Sequence, residues 1–226
     1  MIVTIHQPDF LPWLGFFDRW EKSDLYIILD DVQFLRRGWH HRDKIKNRDG
    51  AGWITVPVNK KGKYNQLIRD TKIDNSTDWR SKHLKAIEMN YKKAPNFEYY
   101  FNKIKNVYDN NHLLLIDLNI ELLKFCASIL QIETPFIFSS SFQETSKGTQ
   151  RIVNLVKAVE GNVYLTGLGS RDYLDEALFN NEGIKVYWQE FNHPVYPQRN
   201  GNFKKMLSIL DFLMMVPTPK KVFKGH

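Results

Sequence analysis

The apolar residues of this chain fall into short runs, and the first runs are separated by one short helical segment. Ile2 to Ile5 is apolar and β-branched, and the prolines that follow at Pro8 and Pro12 end this run. A helix is predicted from Trp13 to Glu21, and Leu25 to Leu29 forms a second buried run. Two buried runs joined by a short helix predict a βαβ unit with a parallel pair of strands.

The same alternation returns later in the chain, after a helical block. Helical periodicity runs from Asp78 to Leu130 and predicts three helices. Further strands are predicted at Trp53–Val58, Phe136–Phe138, Val163–Thr166 and Ile184–Trp188. We therefore predict an α/β fold with a largely parallel, Rossmann-like sheet flanked by helices. We expect one domain over residues 1–226, with a helical insertion at about 78–130.

Composition and charge narrow the class of protein without specifying a function. A chain of 226 residues can bury a sizeable core, and its one cysteine, Cys126, excludes a disulfide framework and a cysteine zinc site. No apolar stretch approaches the length of a membrane span and no signal peptide is found, so we expect a cytoplasmic protein. The formal net charge of +7 favours anionic partners, and part of it lies in a basic tail at 220–224 that we expect to be solvated.

Polar side chains follow the first two predicted strands directly. His6 and Gln7 end the first strand, and Asp30 and Asp31 end the second. Because parallel neighbours end at the same edge of a sheet, we expect these side chains near one another, where open α/β sheets bind ligands. The two carboxylates could hold a divalent cation, orient His6 or act as a base, or one of them could cap a turn. His6 could equally be a structural residue.

The segment from Val32 to Lys46 is both basic and aromatic. It predicts an anion-binding loop in which Arg36, Arg37 and Arg42 contact phosphate and an aromatic ring stacks on a base. A charged surface loop is an equally good interpretation of Arg36 and Arg37. His40 and His41 lack the helical spacing of a metal site, and we assign no metal ligands to the chain.

A glycine turn follows the strand that ends at Thr166. Gly167, Gly169 and Ser170 are spaced so that backbone amides can approach a carboxylate or a phosphate. The turn is not a complete dinucleotide fingerprint, because the third glycine is missing, and it is not a Walker loop.

Several separated motifs resemble the WbqC-like family of bacterial proteins over nearly the whole chain. The matching segments are Ile5-His6-Gln7-Pro8, Leu11-Pro12-Trp13-Leu14-Gly15-Phe16-Phe17-Asp18, Leu29-Asp30-Asp31-Val32-Gln33-Phe34, Trp53-Ile54-Thr55-Val56-Pro57-Val58, Tyr164-Leu165-Thr166-Gly167, Asp172-Tyr173-Leu174, Tyr196-Pro197-Gln198 and Leu207-Ser208-Ile209-Leu210-Asp211. The resemblance implies a transferase of surface-polysaccharide (O-antigen, lipopolysaccharide) biosynthesis, which moves glycine or another acyl group onto a nucleotide-linked amino sugar.

This hypothesis gives each candidate residue a role. His6, Asp30 and Asp31 are the candidate catalytic residues. The candidate substrate-binding residues are Gln7, Trp13, Gln33, Arg36, Arg37, Arg42, Gly167, Gly169, Ser170, Asp172, Tyr173, Tyr196 and Gln198. The acyl donor stays open between a coenzyme A thioester, a charged tRNA and an amino acid with ATP, and no cofactor is assigned. We expect no DNA partner.

Two other functions remain open. Gln7-Pro8 followed by Leu14-Gly15 faintly resembles the HIGH-type nucleotidylyl transferases, although the required His-x-x-His is absent. An adenylating enzyme is therefore the first alternative. A non-catalytic protein that binds a nucleotide sugar is the second.

Overall fold

A computed structural model describes residues 1–219 and 222–223, so most of the predicted basic tail lies outside the described residues. The strands are β1 (Ile2–His6), β2 (Leu25–Ile28), β3 (Arg42–Ile45), β4 (Gly52–Thr55), β5 (Phe136–Phe138), β6 (Val163–Thr166) and β7 (Lys185–Trp188). The α-helices are α1 (Leu14–Glu21), α2 (Trp79–Tyr91), α3 (Phe97–Asp109), α4 (Leu115–Leu130), α5 (Gly148–Ala158), α6 (Glu176–Asn181) and α7 (Ile209–Met215).

The chain forms two compact units, each built from several segments. Unit 1 comprises Met1–Gln7, Gly15–Asp31 and Ile132–Asn192. Unit 2 comprises Pro8–Leu14, Val32–Gln131 and His193–His226. The organisation into a single domain with a helical insertion stays a prediction.

Unit 1 contains a parallel sheet of five strands in the order β5-β2-β1-β6-β7. Its strand pairs are all parallel, with Thr4 of β1 opposite Tyr26 of β2 and opposite Leu165 of β6. The α/β class and the parallel sheet are confirmed, β2 is a parallel neighbour of β1 as predicted, and β6 is its other neighbour. The strand order reverses beside β1, and such reversals mark the ligand-binding edge of open α/β sheets.

The core of unit 1 explains why β1 occupies the centre of the sheet. Val3 and Ile5 are buried in a cluster that includes Val156 of α5 and Phe179 of α6. The aromatic residues of α1 pack against β2, with the Trp20 ring 5.0 Å from the Tyr26 ring. Short apolar strands of this kind, buried on both faces, are typical of parallel sheets.

Unit 2 combines the three helices predicted between 78 and 130, now α2 to α4, with an antiparallel hairpin of β3 and β4. Asp78 caps α2 by accepting a hydrogen bond from the Ser81 amide at 3.3 Å. The prediction of a loop from Val32 to Lys46 was wrong in its last part, because β3 lies there. The alternation was obscured because its inward positions are Asp43 and Ile45, and a buried aspartate does not read as an apolar position.

A close contact at Gly161 leads to the first prediction. A Cβ atom there would lie 2.6 Å from Cγ2 of Val3 and 2.8 Å from Cγ1 of Val156. Gly161→Ala should therefore lower the free energy of unfolding by about 1–3 kcal/mol, the usual cost of overpacking a core. Urea unfolding measures this change. Gly169→Ala, where no atom lies within 4 Å of the added Cβ, is the matched control. Equal unfolding midpoints for the two variants would contradict the packing argument.

Candidate functional site

His6 ends β1 in the middle of the sheet edge of unit 1. Its Nδ1 lies 3.0 Å from the backbone oxygen of Gln7, and its ring meets the Phe16 ring edge to face at 5.3 Å. A carbonyl oxygen only accepts hydrogen bonds, so Nδ1 carries the proton of the neutral ring. Nε2 then carries the lone pair. The half-buried ring is thus held in the tautomer that a general base uses.

The turn after β6 lies next to this position, because β6 pairs with β1. Ser170 Oγ donates to the Gly167 oxygen at 2.9 Å, and the Thr166 hydroxyl lies 2.9 Å from the same Oγ. The turn's first backbone hydrogen bond runs from the Ser170 amide to the Gly167 oxygen at 3.2 Å. The backbone amides of Leu168 and Gly169 precede this hydrogen bond in the chain. Amides in this position of a turn are the ones that bind anions. Asp172 and Tyr173 are exposed farther along.

A buried arginine of α1 approaches the same turn. A Cβ atom at Gly167 would collide with Nη1 of Arg19, so a larger residue there would displace the guanidinium. Nη1 donates to Oε1 of Gln189 at 3.3 Å, and Nε2 of Gln189 donates to Asp18 Oδ2 at 2.6 Å. The sequence analysis missed Arg19 and Gln189. The signal for Arg19 was the charged pair Asp18 and Arg19 within the otherwise apolar sequence of α1, next to Trp20.

The two carboxylates after β2 contact the end of β5. Asp30 Oδ1 accepts the Ser140 amide at 3.0 Å, and Asp30 Oδ2 accepts the Ser140 hydroxyl at 2.7 Å. The Ser139 hydroxyl lies 3.0 Å from Asp30 Oδ1 and 2.5 Å from Asp31 Oδ1. Asp30 is 4% exposed and Asp31 is partly buried. These contacts join the ends of β2 and β5.

Arg151 of α5 completes this cluster. Its Nη2 lies 2.7 Å from Asp31 Oδ1. Burial raises the pKa of Asp31, but the hydrogen bonds from Ser139 and Arg151 outweigh it, so the net pKa lies below its ordinary value. Asp31 is therefore ionised at neutral pH. The role of the two aspartates in orienting His6 or acting as the base stays a prediction, and within 1–219 and 222–223 no cluster of three metal-ligating side chains is found.

Tyr196 and Gln198, which were predicted to bind substrate, join a buried network in unit 2. Asp211 is fully buried and accepts hydrogen bonds from the hydroxyls of Tyr91 and Tyr196, each at 2.9 Å. It also accepts from Nε2 of Gln198 at 2.7 Å. Burial raises the pKa of Asp211 above its ordinary value, although these hydrogen bonds oppose the shift. The network holds the segment after residue 193 against α7, and the substrate contacts of the two residues stay predictions.

Trp13 also lies in unit 2, where its ring stacks on the His193 ring at 6.3 Å and 10°. His193 Nδ1 lies 2.9 Å from the Pro194 oxygen, so this histidine shares the tautomer of His6. The sequence analysis did not single out His193, although it directly precedes a proline near the Tyr196 motif.

Gln33, Arg36 and Arg42, which were predicted to bind substrate, form hydrogen bonds with backbone oxygens of unit 2, and their substrate contacts and those of Arg37 stay predictions. Gln33 Nε2 donates to the Tyr64 oxygen at 3.1 Å, Arg36 donates to the Lys60 oxygen at 3.0 Å, and Arg42 donates to the Arg37 oxygen at 2.7 Å. No carboxylate among the described residues lies within 4 Å of these arginines.

Unit 2 also contains a buried titratable cluster that sequence reasoning did not find. His40 Nδ1 lies 3.1 Å from Asp9 Oδ1, and Asp43 is buried nearby. Burial and the Asp9 carboxylate raise the pKa of Asp43 from its ordinary 3.8 to about 8. Burial, together with Lys60 and Arg42, lowers the pKa of His41 to about 3. Asp43 is therefore largely protonated, and His41 is neutral, at pH 7.

Comparison with known proteins confirms the resemblance drawn from the motifs. The model of the WbqC-like protein family matches residues 7–222. A curated protein of Mycobacterium tuberculosis (strain ATCC 25618 / H37Rv), described as "Uncharacterized protein Rv1507c", is 37% identical over 216 residues, which cover 95% of this chain and 93% of that protein. No solved structure matches the chain. Across the described ranges, no helix has both the length and the apolar character that crossing a membrane requires.

The buried Asp43 leads to a prediction about pH. Its raised pKa means that the folded chain holds a proton that the unfolded chain releases between about pH 4 and pH 8, so this group makes stability fall as pH rises through that range. Asp43→Asn keeps an oxygen for the Lys44 amide and removes the ionisation. The variant should be more stable than the parent by about 2–5 kcal/mol at pH 8 and nearly equal to it at pH 4.

Thermal and urea unfolding at both pH values measure this difference. The matched control is Asp49→Asn, since Asp49 is an exposed aspartate between β3 and β4. A stability gain in Asp43→Asn that is the same at pH 4 and pH 8 would show that burial of the ionised form is not the cause.

Proposed function

Because this chain belongs to the WbqC-like protein family, we propose that it is a cytoplasmic transferase of bacterial surface-polysaccharide (O-antigen) biosynthesis. It transfers an acyl or aminoacyl group, such as glycyl, onto a nucleotide-linked amino sugar. The observation that carries the proposal is the hydrogen bond from His6 Nδ1 to the Gln7 oxygen, which leaves Nε2 as the basic nitrogen. His6 stands beside the reversal in strand order, where α/β sheets bind ligands.

The reaction requires an uncharged amine. His6 Nε2 takes a proton from the sugar ammonium, and the freed nitrogen attacks the carbonyl carbon of the acyl donor. A carbon–nitrogen bond forms, and the bond from the carbonyl carbon to the leaving thiol, alcohol or phosphate breaks. The proton on His6 passes to that leaving group, and Nε2 then takes the second proton from the attacking nitrogen and releases it to solvent, which leaves a neutral amide. The donor class stays open between a coenzyme A thioester, a charged tRNA and an amino acid activated with ATP.

The negative oxygen that develops on the attacked carbonyl needs hydrogen-bond donors. The amides of Leu168 and Gly169 precede the first hydrogen bond of their turn, and the half-buried Gln7 side chain follows His6. Preorganised donors of this kind are the usual means of stabilising an oxyanion. The Arg19 guanidinium beside Gly167 adds a positive charge to the same turn, which favours an anionic transition state or a substrate phosphate.

The two alternative functions can be distinguished from the transferase by the products that they form or do not form. An enzyme that adenylates a carboxylate releases pyrophosphate from ATP when it forms the adenylate, and AMP when the acyl group moves on. A non-catalytic protein binds the nucleotide sugar without turnover. A thermal-shift screen of nucleotide sugars, followed by assays for acylated sugar and for AMP, distinguishes these outcomes. Binding without either product would refute the transferase.

Substitution of His6 tests its proposed role directly. His6→Gln should leave the melting temperature nearly unchanged and lower turnover by about 10²–10⁴-fold, the usual contribution of a positioned general base. The measurement is turnover and thermal melting on one preparation, with the substrate found in the screen.

The matched control is His112→Gln, the same change at a histidine of unit 2 whose Nε2 lies 2.6 Å from Glu121. This control should keep normal turnover per folded molecule. Full activity in folded His6→Gln would remove His6 from the mechanism and leave the Asp30 and Asp31 pair as the candidate base.

A further inference from the structure

The positive charge of this chain is concentrated in one segment of unit 2. Residues 33–69 carry ten lysines and arginines and two aspartates, a formal charge of +8, while the whole chain carries +7. The rest of the chain is therefore close to neutral. Of the two aspartates, Asp43 is 3% exposed and points inward from β3. The segment thus has little negative charge of its own on its surface.

The side chains of this segment form a connected surface that we call the basic stripe. Its members are Arg36, Trp39, Arg42, Lys44, Trp53, Lys60 and Tyr64. On β3 and β4, Arg42 and Lys44 lie over the Trp53 ring at 4.3 Å and 4.8 Å, and the Trp39 ring is 5.3 Å from the Trp53 ring. Cations and aromatic rings therefore share one face of the hairpin.

Arg36 connects two further members of the stripe, Lys60 and the aromatic residue Tyr64. Arg36 donates to the Lys60 oxygen at 3.0 Å and lies over the Tyr64 ring at 5.8 Å. Burial lowers the pKa of Lys60, and the charges of Arg42 and Arg36 lower it further. That repulsion shows that the three cations crowd one another, and a bound polyanion would relieve it.

The aromatic rings of the stripe are exposed and its charges are not neutralised. Trp39 is 48% exposed, Trp53 44% and Tyr64 72%. Within residues 1–219 and 222–223, no carboxylate lies within 4 Å of a cation of the stripe. Three exposed rings therefore lie among cations that no described carboxylate neutralises. Such a surface binds unstacked bases and a phosphate backbone.

We propose that the basic stripe binds a single-stranded polynucleotide. Three rings with four cations between and around them exceed what one nucleotide needs, and a duplex would keep its bases away from the rings. An anionic membrane is the less suitable partner, because in the stripe the cations lie over the ring faces and in membrane-bound segments they flank an apolar face. The inference is independent of the proposed transferase, since it concerns binding by unit 2 and no turnover.

The experiment measures binding of labelled oligonucleotides by fluorescence anisotropy. The probes are a 12-nucleotide uridine RNA, the matching thymidine DNA, and a duplex of the same length. Single strands should bind more tightly than the duplex and should quench tryptophan fluorescence. The logarithm of the association constant should fall with the logarithm of salt with a slope of roughly −3, the value for about four neutralised phosphates. A preference between RNA and DNA identifies the natural strand.

Two variants separate stacking from general charge. Trp53→Ala should weaken single-strand binding about tenfold, within the range for the loss of one stacking ring. Arg42→Ala should weaken binding and reduce the salt slope by roughly 0.7. The matched control is the exposed pair on α3, Tyr99→Ala with Lys103→Ala, where Lys103 lies 5.8 Å from the Tyr99 ring. This control should bind as the parent does, and melting curves verify that each variant is folded.

Three results would overturn the proposal. The first is the absence of single-strand binding at 50 mM salt, and the second is equal binding of single strands and duplex. The third is a loss of affinity in the Tyr99 and Lys103 control as large as in Trp53→Ala. Binding to phosphatidylglycerol vesicles that Trp53→Ala abolishes, without oligonucleotide binding, would assign the stripe to a membrane surface instead.

Discussion

The central strand β1 must form backbone hydrogen bonds along both of its edges and bury side chains on both of its faces. The arrangement of unit 1 depends on these two requirements. β2 and β6 supply the two ladders. Thr4, the polar residue within β1, donates its hydroxyl to the Leu165 oxygen at 2.9 Å, so its burial leaves no unmet donor. Since Pro8 cannot continue a ladder, the strand ends at His6, and the side chains after it are delivered to the sheet edge.

The polar side chains at that edge have hydrogen-bond partners, and these partners limit the chemistry that each side chain can perform. Asp30 is surrounded by the serines after β5, and Asp31 is paired with Arg151. Carboxylates held in this way stabilise the connection between β2 and β5. His6 has a carbonyl as the partner of Nδ1, which sets its tautomer without neutralising its basic nitrogen. The same edge therefore combines carboxyl groups held by hydrogen bonds with an imidazole held in one tautomer.

In unit 2 the side chains of β3 alternate between the interior and the surface of the hairpin, and this alternation separates an acidic residue from basic ones. Asp43 points inward, where burial favours its protonated form, while Arg42 and Lys44 point outward onto Trp53. One strand thereby produces both a buried acid and an exposed cationic face. The pH dependence of stability and the proposed polynucleotide surface follow from the same alternation.

The sequence by itself determined the α/β class, the parallel pairing of β1 with β2, the three helices of unit 2 and the family, because short apolar runs, proline positions and separated motifs are local signals. His6 and Gln7 could be placed at a strand end for the same reason. Only the tertiary structure decided which groups those residues contact. The distances that pair Asp31 with Arg151, Arg19 with Gly167 and Tyr196 with Asp211 join positions 15 to 148 residues apart in the chain. No local pattern encodes such a pairing, because burial and hydrogen bonding between distant segments are settled only when the segments pack together.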